Sequence, residues 1–190
     1  MKIKPVFLST VLALSMCFNM ALAQKILSGV TLPANITLGK DKLILNGGGI
    51  REKYFMDMYV GGLYLQKKNT DAQKIIDANE SMLIRLHIVS SLITSEKMRT
   101  AITEGFDKST KGNTKPLKNQ IDLFIASFKE EIVKGDVFEL QYTVESGVSV
   151  YKNGKLKTSI AGLDFKKALF GIWLCNNPAD EDLKEGLLGG

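Results

Sequence analysis

One stretch, from Asn46 to Leu65, constrains the fold of this chain more than any other. It reads NGGGIREKYFMDMYVGGLYL and begins with three consecutive glycines after Asn46, which permit a backbone path that residues with a Cβ disfavour. The run from Tyr54 to Leu65 is rich in aromatic residues and methionine, and it predicts a largely buried strand. Arg51 is a cation among these apolar residues, where desolvation of its guanidinium is costly without a polar partner. Arg51 therefore either lies at a strand end and reaches water, or meets a ligand.

The first 23 residues have the pattern of an export signal. Lys2 and Lys4 form a short basic start, a mostly apolar segment runs from Val6 to Met20, and Ala21-Leu22-Ala23 supplies a small-x-small cleavage pattern. The apolar segment is shorter than the roughly 20 residues that span a bilayer comfortably. We therefore expect a Sec-type signal peptide, residues 1–23, that is cleaved from the mature protein.

Cleavage leaves one domain, residues 24–190, which we expect to be periplasmic or secreted in a bacterium and to have no stable membrane insertion. Loss of the two leader lysines lowers the formal net charge of +5 by two, and this mild excess does not favour nucleic acid as a partner. A chain of this length can bury one core. Cys175 is the only cysteine that remains, so an intramolecular disulfide is excluded, and we expect this residue to be a small buried filler.

The rest of the chain alternates between strand and helix patterns. Residues 26–46 predict two or three strands with turns between them. Strands are also predicted over residues 82–89, 136–144, 148–152 and 156–160, and helices over residues 70–78, 94–111, 114–131, 163–174 and 179–187. Asn153-Gly154 is a strong hairpin-turn signal. Because hairpins outnumber strand–helix–strand crossovers, we predict an α+β fold in which helices pack on one face of an antiparallel β-sheet.

The sequence has few residues for metal or nucleophilic chemistry. His87 is the one histidine, and with a single cysteine after cleavage it cannot form a zinc site of ordinary composition. The triple glycine lacks the G-K-[ST] ending of a phosphate-binding loop and leads into a strand. No G-x-S-x-G nucleophile motif occurs. We therefore expect no metal and no cofactor, and Arg51 is the leading candidate for chemistry in a cleft.

Arg51 and Tyr59 are the candidate ligand-binding residues. The Arg51 guanidinium is a fork of donors that suits a carboxylate or a polarised carbonyl, and Tyr59 can add a phenolic hydroxyl. On one continuous strand the two side chains would share a face but lie roughly 26 Å apart. They can hold one head group only if the chain bends or folds back near Glu52-Lys53.

Two separated motifs resemble those of the chalcone isomerase-like family. The first is G-x-G-I-R followed by Y-V-G-G-L-Y at 59–64, which is similar to the signature strand of the family. The second is GLDFKKALFGIWL at 162–174 followed by NPADEDLKEGLLG at 177–189, which is similar to bacterial members. The resemblance implies an exported bacterial member with an open-faced β-sandwich and a cleft between its sheet and its helices.

The resemblance also bears on the candidate residues. It implies that Arg51 corresponds to an arginine that the plant enzymes use, with a threonine, to close the ring of a chalcone. Tyr59 aligns with that threonine, and the fatty-acid-binding relatives have a tyrosine there that helps the arginine hold a carboxylate. A second hydroxyl of the plant enzymes aligns with Ile172. Both replacements favour carboxylate binding over chalcone cyclisation.

Three hypotheses remain open at this point. In the first, the protein is a non-catalytic binder of a small amphiphilic acid such as a fatty acid, and Arg51 and Tyr59 hold the head group. In the second, it is an isomerase or intramolecular lyase that acts on a chalcone-like enone, with Arg51 polarising the carbonyl. In the third, side chains fill the cleft and Arg51 only ties loops together. The apolar side chains expected around a bound tail include Phe106, Phe124, Phe128 and Trp173.

Overall fold

The computed structural model describes residues 24–190, so the predicted signal peptide, residues 1–23, lies outside the described residues. The strands are β1 (Lys25–Leu27), β2 (Val30–Leu32), β3 (Asn35–Leu38), β4 (Asp41–Lys53), β5 (Met56–Leu65), β6 (Met82–Ile88), β7 (Val137–Thr143), β8 (Gly147–Lys152) and β9 (Lys155–Ile160). The helices are α1 (Ala72–Asp77), α2 (Ser95–Ser109), α3 (Lys118–Ala126), α4 (Leu163–Leu174) and α5 (Glu181–Leu187). Within this part of the chain, no helix has the length and apolar character needed to cross a membrane.

Strands β3 to β9 form one antiparallel sheet in which each strand pairs with the next strand of the sequence. The helices pack on one face of this sheet, which confirms the predicted α+β class. Strand β6 shows the expected alternation, because Met82, Ile84, Leu86 and Ile88 are all buried in the core between the sheet and the helices. The hairpin turn predicted at Asn153-Gly154 joins β8 to β9.

A second, smaller core covers part of the opposite face of the sheet. The β1–β2 hairpin packs there, and its Leu32 is fully buried together with Val60, Tyr64 and Leu83 of the sheet. This layer has a simple origin in β5, where residues of both parities are apolar and therefore favour burial on both faces. The sheet is open-faced only beyond the area that this hairpin covers.

The prediction of one strand from Tyr54 onward is wrong at its start. Strand β4 runs through the three glycines as far as Lys53, a two-residue turn follows at Tyr54 and Phe55, and β5 begins at Met56. The sequence prediction failed here because a Tyr-Phe pair carries none of the usual signals for a turn.

The three glycines provide space rather than an unusual backbone conformation. None of them has a positive φ. A Cβ on Gly47 would lie 2.6 Å from the carbonyl oxygen of Leu187 and 2.7 Å from the amide nitrogen of Gly189, both backbone atoms at the end of α5. Helix α5 therefore contacts the backbone of β4 directly, and the first residue of the triple glycine permits this approach.

The helix boundaries differ from prediction most clearly at α3 and at the start of α1. The helix predicted over residues 114–131 is shorter, because a 3₁₀ turn at Lys115–Leu117 that contains Pro116 precedes α3 and the helix ends at Ala126. Helix α1 begins at Ala72 and not at the predicted residue 70, because Asp71 caps it with a carboxylate that accepts a hydrogen bond from the Lys74 amide.

Lys166 is a buried cation that the sequence analysis did not identify. It lies on α4 with its side chain fully buried, and its ammonium donates to the carbonyl oxygens of Ile75 at 2.9 Å, Ile76 at 2.9 Å and Ala78 at 2.7 Å. These carbonyls belong to the C-terminal end of α1, where a positive charge is favourable. Lys166 therefore holds α1 against α4.

Candidate functional site

The β4–β5 hairpin places Arg51 directly opposite Tyr59. The chain reverses immediately after Glu52-Lys53, so the two residues are cross-strand neighbours whose Cα atoms are about 5 Å apart, as in any antiparallel pair. Both side chains lie on the face of the sheet that the helices cover, because Arg51 contacts Ala179 and Tyr59 contacts Trp173. The hairpin therefore meets the geometric requirement for a shared head-group site.

The Tyr59 hydroxyl is fixed by one hydrogen bond, which it accepts. Its oxygen accepts a hydrogen bond from the indole nitrogen of Trp173 at 2.9 Å, and the side chain is buried. Burial raises the pKa of Tyr59, although the charge of Arg51 and the bond from Trp173 oppose this shift. The hydroxyl is therefore protonated at neutral pH, and it makes no second hydrogen bond within residues 24–190. Its proton is available to an acceptor.

Arg51 connects β4 to the segment between α4 and α5. Its guanidinium donates a hydrogen bond to the carbonyl oxygen of Ala179, and Nη1 lies 3.6 Å from a carboxylate oxygen of Asp180. Both charged side chains are about four-fifths buried, with exposures of 21% for Arg51 and 17% for Asp180. The other carboxylate oxygen of Asp180 caps α5 by accepting from the Leu183 amide at 2.9 Å. These contacts match the third hypothesis, and they also establish that a carboxylate fits beside Arg51.

The apolar side chains expected around a bound tail pack against one another in the core between the sheet and the helices. The side chains of Phe106, Phe124 and Phe128 are fully buried, and Trp173 is 5% exposed. The rings of Phe106 and Phe124 meet edge to face with centroids 5.7 Å apart, and those of Phe124 and Phe128 lie 5.2 Å apart. Of these four residues, Trp173 alone bonds to the candidate pair. A tail can enter this region only if the helices and the sheet move apart.

Three surface depressions of the described chain lie away from Arg51 and Tyr59. One of about 670 Å³ lies between α1, α2 and α4 and is lined by polar residues such as Lys108 and Lys167. Cys175, which we expected to be buried, is half-buried at the C-terminal end of α4 and also lines this depression. Neither Arg51 nor Tyr59 lines any of the three.

Three further residues complete the description of the site. Ile172 is buried and packs against Gly105 of α2, so α4 presents no hydroxyl at the position that the resemblance pointed to. His87 is partly exposed on the opposite face of the sheet, and burial lowers its pKa. The sequence analysis missed Asp180 as a partner of Arg51. Its position within the second family motif was the only signal for it.

Comparison with known proteins identifies the family. The family model described as chalcone isomerase-like matches residues 24–189. Among solved structures, a fatty-acid binding protein of Arabidopsis thaliana has a TM-score of 0.69 and 18% sequence identity, and the match covers 87% of this chain and 96% of that one. No curated protein matches significantly by sequence. The motifs, the fold and the family match agree, and the chain belongs to the chalcone isomerase-like family.

Proposed function

We propose that this protein is an exported, non-catalytic binder of a small amphiphilic acid, such as a fatty acid, between its sheet and its helices. One observation carries the proposal: the hairpin register brings Arg51 and Tyr59 together on the buried face, with a carboxylate already beside the guanidinium. The similar Arabidopsis structure is that of a fatty-acid binding protein, which supports the same ligand class. The signal pattern over residues 1–23 supports export to the periplasm or the exterior of a bacterial cell.

The head group of the ligand takes the place of Asp180. Arg51 donates hydrogen bonds to the ligand carboxylate, and the Tyr59 hydroxyl donates its free proton to the same group. Trp173 fixes the direction of the tyrosine hydroxyl. Hydrogen bonds between a guanidinium and a carboxylate contribute about 1.5–3 kcal/mol each. For the ligand to enter, the segment of residues 175–180 moves away from β4. Asp180 is therefore an internal competitor of the ligand.

The tail provides the remaining affinity. Burial of each methylene contributes about 0.8 kcal/mol, so a long chain offsets the cost of separating the aromatic rings that fill the region. A short acid has no such compensation. We therefore expect affinity to rise with chain length.

The isomerase hypothesis has less support. Burial raises the pKa of Tyr59, so this hydroxyl is a donor rather than a base at neutral pH. Ile172 also offers no hydroxyl for positioning a flavonoid. What remains for the isomerase hypothesis is polarisation of a carbonyl by the two donors, Arg51 and Tyr59.

Titration of delipidated protein with a fluorescent long-chain fatty acid tests the proposal. Arg51→Met should weaken binding by about tenfold or more, because it removes the charge and keeps most of the side-chain volume. Tyr59→Phe should weaken it several-fold. Asp180→Asn should tighten binding, since it removes the competing charge while asparagine still caps α5. We expect opposite signs for the Arg51 and Asp180 variants.

The third hypothesis predicts a different pattern. If Arg51 only ties loops together, Arg51→Met and Asp180→Asn both lower thermal stability and neither changes fatty-acid binding. Absence of binding by the wild-type protein, together with absence of co-purified lipid, would show that the proposal is wrong. Loss of chalcone absorbance on incubation, abolished by Arg51→Met, would favour the isomerase instead.

A further inference from the structure

The turn between β4 and β5 has an unusual sequence for its geometry. Lys53 pairs with Met56, so the turn has two residues, Tyr54 with φ 53° and Phe55 with φ 60°. A positive φ at both central positions is the pattern of a type I′ turn, which favours asparagine and glycine. Bulky residues with a Cβ are disfavoured in this left-handed region. The turn therefore holds two aromatic residues in a conformation that neither prefers.

Two other hairpins of this chain show what such a turn requires. Asn153-Gly154 joins β8 to β9 and Ser28-Gly29 joins β1 to β2, and both residues of each pair have positive φ. Each places glycine at the second position, where Phe55 stands in the β4–β5 turn. The hairpin geometry thus does not require Tyr54 and Phe55, and their side chains disfavour the positive φ that the turn imposes. Strain of this kind is found at functional sites.

The aromatic pair is exposed to solvent. Phe55 is fully exposed, Tyr54 is 77% exposed and the neighbouring Met56 is 42% exposed. Among residues 24–190, the Lys53 ammonium lies 5.5 Å from the centre of the Tyr54 ring, and the aromatic pair otherwise faces solvent. Three consecutive apolar side chains thus project from the end of the sheet. Such a patch indicates an interaction surface.

Two neighbouring loops add apolar residues at the same end of the sheet. The loop after β6 hydrogen-bonds to the start of β5 through Met58, and it exposes Leu92. The segment before β7 hydrogen-bonds to the end of β6 through Ile88, and it exposes Val133. The charged residues at this end include Lys53, Lys97 and Lys134 and the acids Glu52 and Asp57. The Asp57 carboxylate is occupied by the Ser28 hydroxyl.

The chemistry of this end suits a lipid surface. A protein partner needs a broad complementary face of roughly 800 Å², whereas the β4–β5 turn is a narrow convex projection. The tip carries a phenylalanine, with a tyrosine beside it and a lysine behind them. Side chains of these types settle across a bilayer interface in the same order, with the ammonium among the head groups. We propose that the tip residues Tyr54, Phe55 and Met56 dock this end of the protein reversibly on a membrane surface.

Docking in this way would place the candidate binding pair near the lipid. Arg51 lies three residues before Tyr54, so its Cα is roughly 10 Å along the strand from the tip. An amphiphile that leaves a bilayer could therefore reach Arg51 without crossing much water. The docking surface itself does not depend on fatty-acid binding, because its residues are separate from Arg51 and Tyr59.

Flotation of the purified protein with vesicles of phosphatidylcholine, with and without phosphatidylglycerol, tests the proposal. The test variant is Tyr54→Asn/Phe55→Gly, which gives the turn the residues that its geometry favours. We expect vesicle binding by the wild-type protein and a decrease of about tenfold or more in the variant. We also expect the variant to melt at the same or a higher temperature, so that lost binding cannot result from unfolding.

A matched control removes two exposed apolar residues elsewhere. Leu123 on α3 and Val144 after β7 are each 54% exposed, and Leu123→Ser/Val144→Ser should bind vesicles as the wild type does. The proposal is overturned if the wild-type protein does not float, if the turn variant floats equally well, or if the control loses binding to the same extent. Fluorescent fatty-acid binding in solution should be unchanged in the turn variant, and Arg51→Met should still float. The two proposals therefore fail independently.

Discussion

Replacement of Gly47 by alanine tests why this chain contains three consecutive glycines. An alanine Cβ would lie 2.6 Å and 2.7 Å from backbone atoms of Leu187 and Gly189, whereas ordinary contacts begin near 3.4 Å. Backbone atoms cannot rotate away, so the end of α5 must move outward by roughly 1 Å. Overpacking of this kind costs about 3 kcal/mol, at the upper end of the usual range.

Urea unfolding, followed by circular dichroism, measures this effect. With a slope of about 2 kcal/mol per molar urea, a loss of about 3 kcal/mol lowers the midpoint by about 1.5 M. The matched control is Gly61→Ala on β5, which faces the same helix. Its Cβ would meet the terminal methyl group of Leu183 at 3.0 Å, and the next nearest atom is a Leu187 methyl group at 3.7 Å. A flexible side chain can yield, so we expect a change below about 1 kcal/mol.

Equal midpoints for the two variants would refute the reasoning. They would mean that α5 does not rest directly on the backbone of β4, and that the glycines serve another purpose. A large loss in Gly61→Ala with none in Gly47→Ala would refute it equally.

Two further predictions concern the dependence of stability on pH. Burial lowers the pKa of Lys166 to about 8 from 10.5, so between these pH values the unfolded state binds more protons than the folded state. The stability of the wild-type protein should therefore rise with pH over this range, relative to Lys166→Met, by up to about 3 kcal/mol. A constant difference between the two proteins in urea titrations from pH 7 to 11 would contradict this. Burial raises the pKa of the Asp136 carboxyl, but hydrogen bonds from Lys152, Val133 and Asn153 outweigh it and hold the pKa below its usual range. The stability that this carboxylate provides is present above a pH of about 4 and is lost as the pH falls through the lowered pKa. Asp136→Asn should therefore destabilise the protein by about 2 kcal/mol at pH 7 and by much less near pH 2. A loss of stability that does not change with pH would count against this prediction.

Local sequence patterns correctly predicted those elements whose structure depends only on neighbouring residues. The alternation of β6 and the Asn153-Gly154 turn are examples, since strand periodicity and turn chemistry involve neighbouring residues. The Tyr54-Phe55 turn was missed because its residues oppose its geometry. The packing role of Gly47 could not be predicted either, since its partner helix α5 lies at the other end of the chain.

The candidate site was only partly predictable. Arg51 stood out as a cation in apolar surroundings, and the family resemblance paired it with Tyr59, but their cross-strand pairing depends on a hairpin that sequence periodicity did not reveal. Asp180 was not identified as a partner of Arg51, because nothing local in the sequence indicates that the two residues face each other. Lys166 lies in an apolar helix where a lysine usually reaches water, and its burial depends on the carbonyls of α1.

A crystal structure of the protein with a long-chain fatty acid, such as palmitate, tests the proposed function most directly. We predict that the ligand carboxylate lies within hydrogen-bonding distance of the Arg51 guanidinium and the Tyr59 hydroxyl, and that Asp180 has moved away from Arg51. A carboxylate bound elsewhere, with Arg51 still held by Ala179 and Asp180, would contradict the proposal.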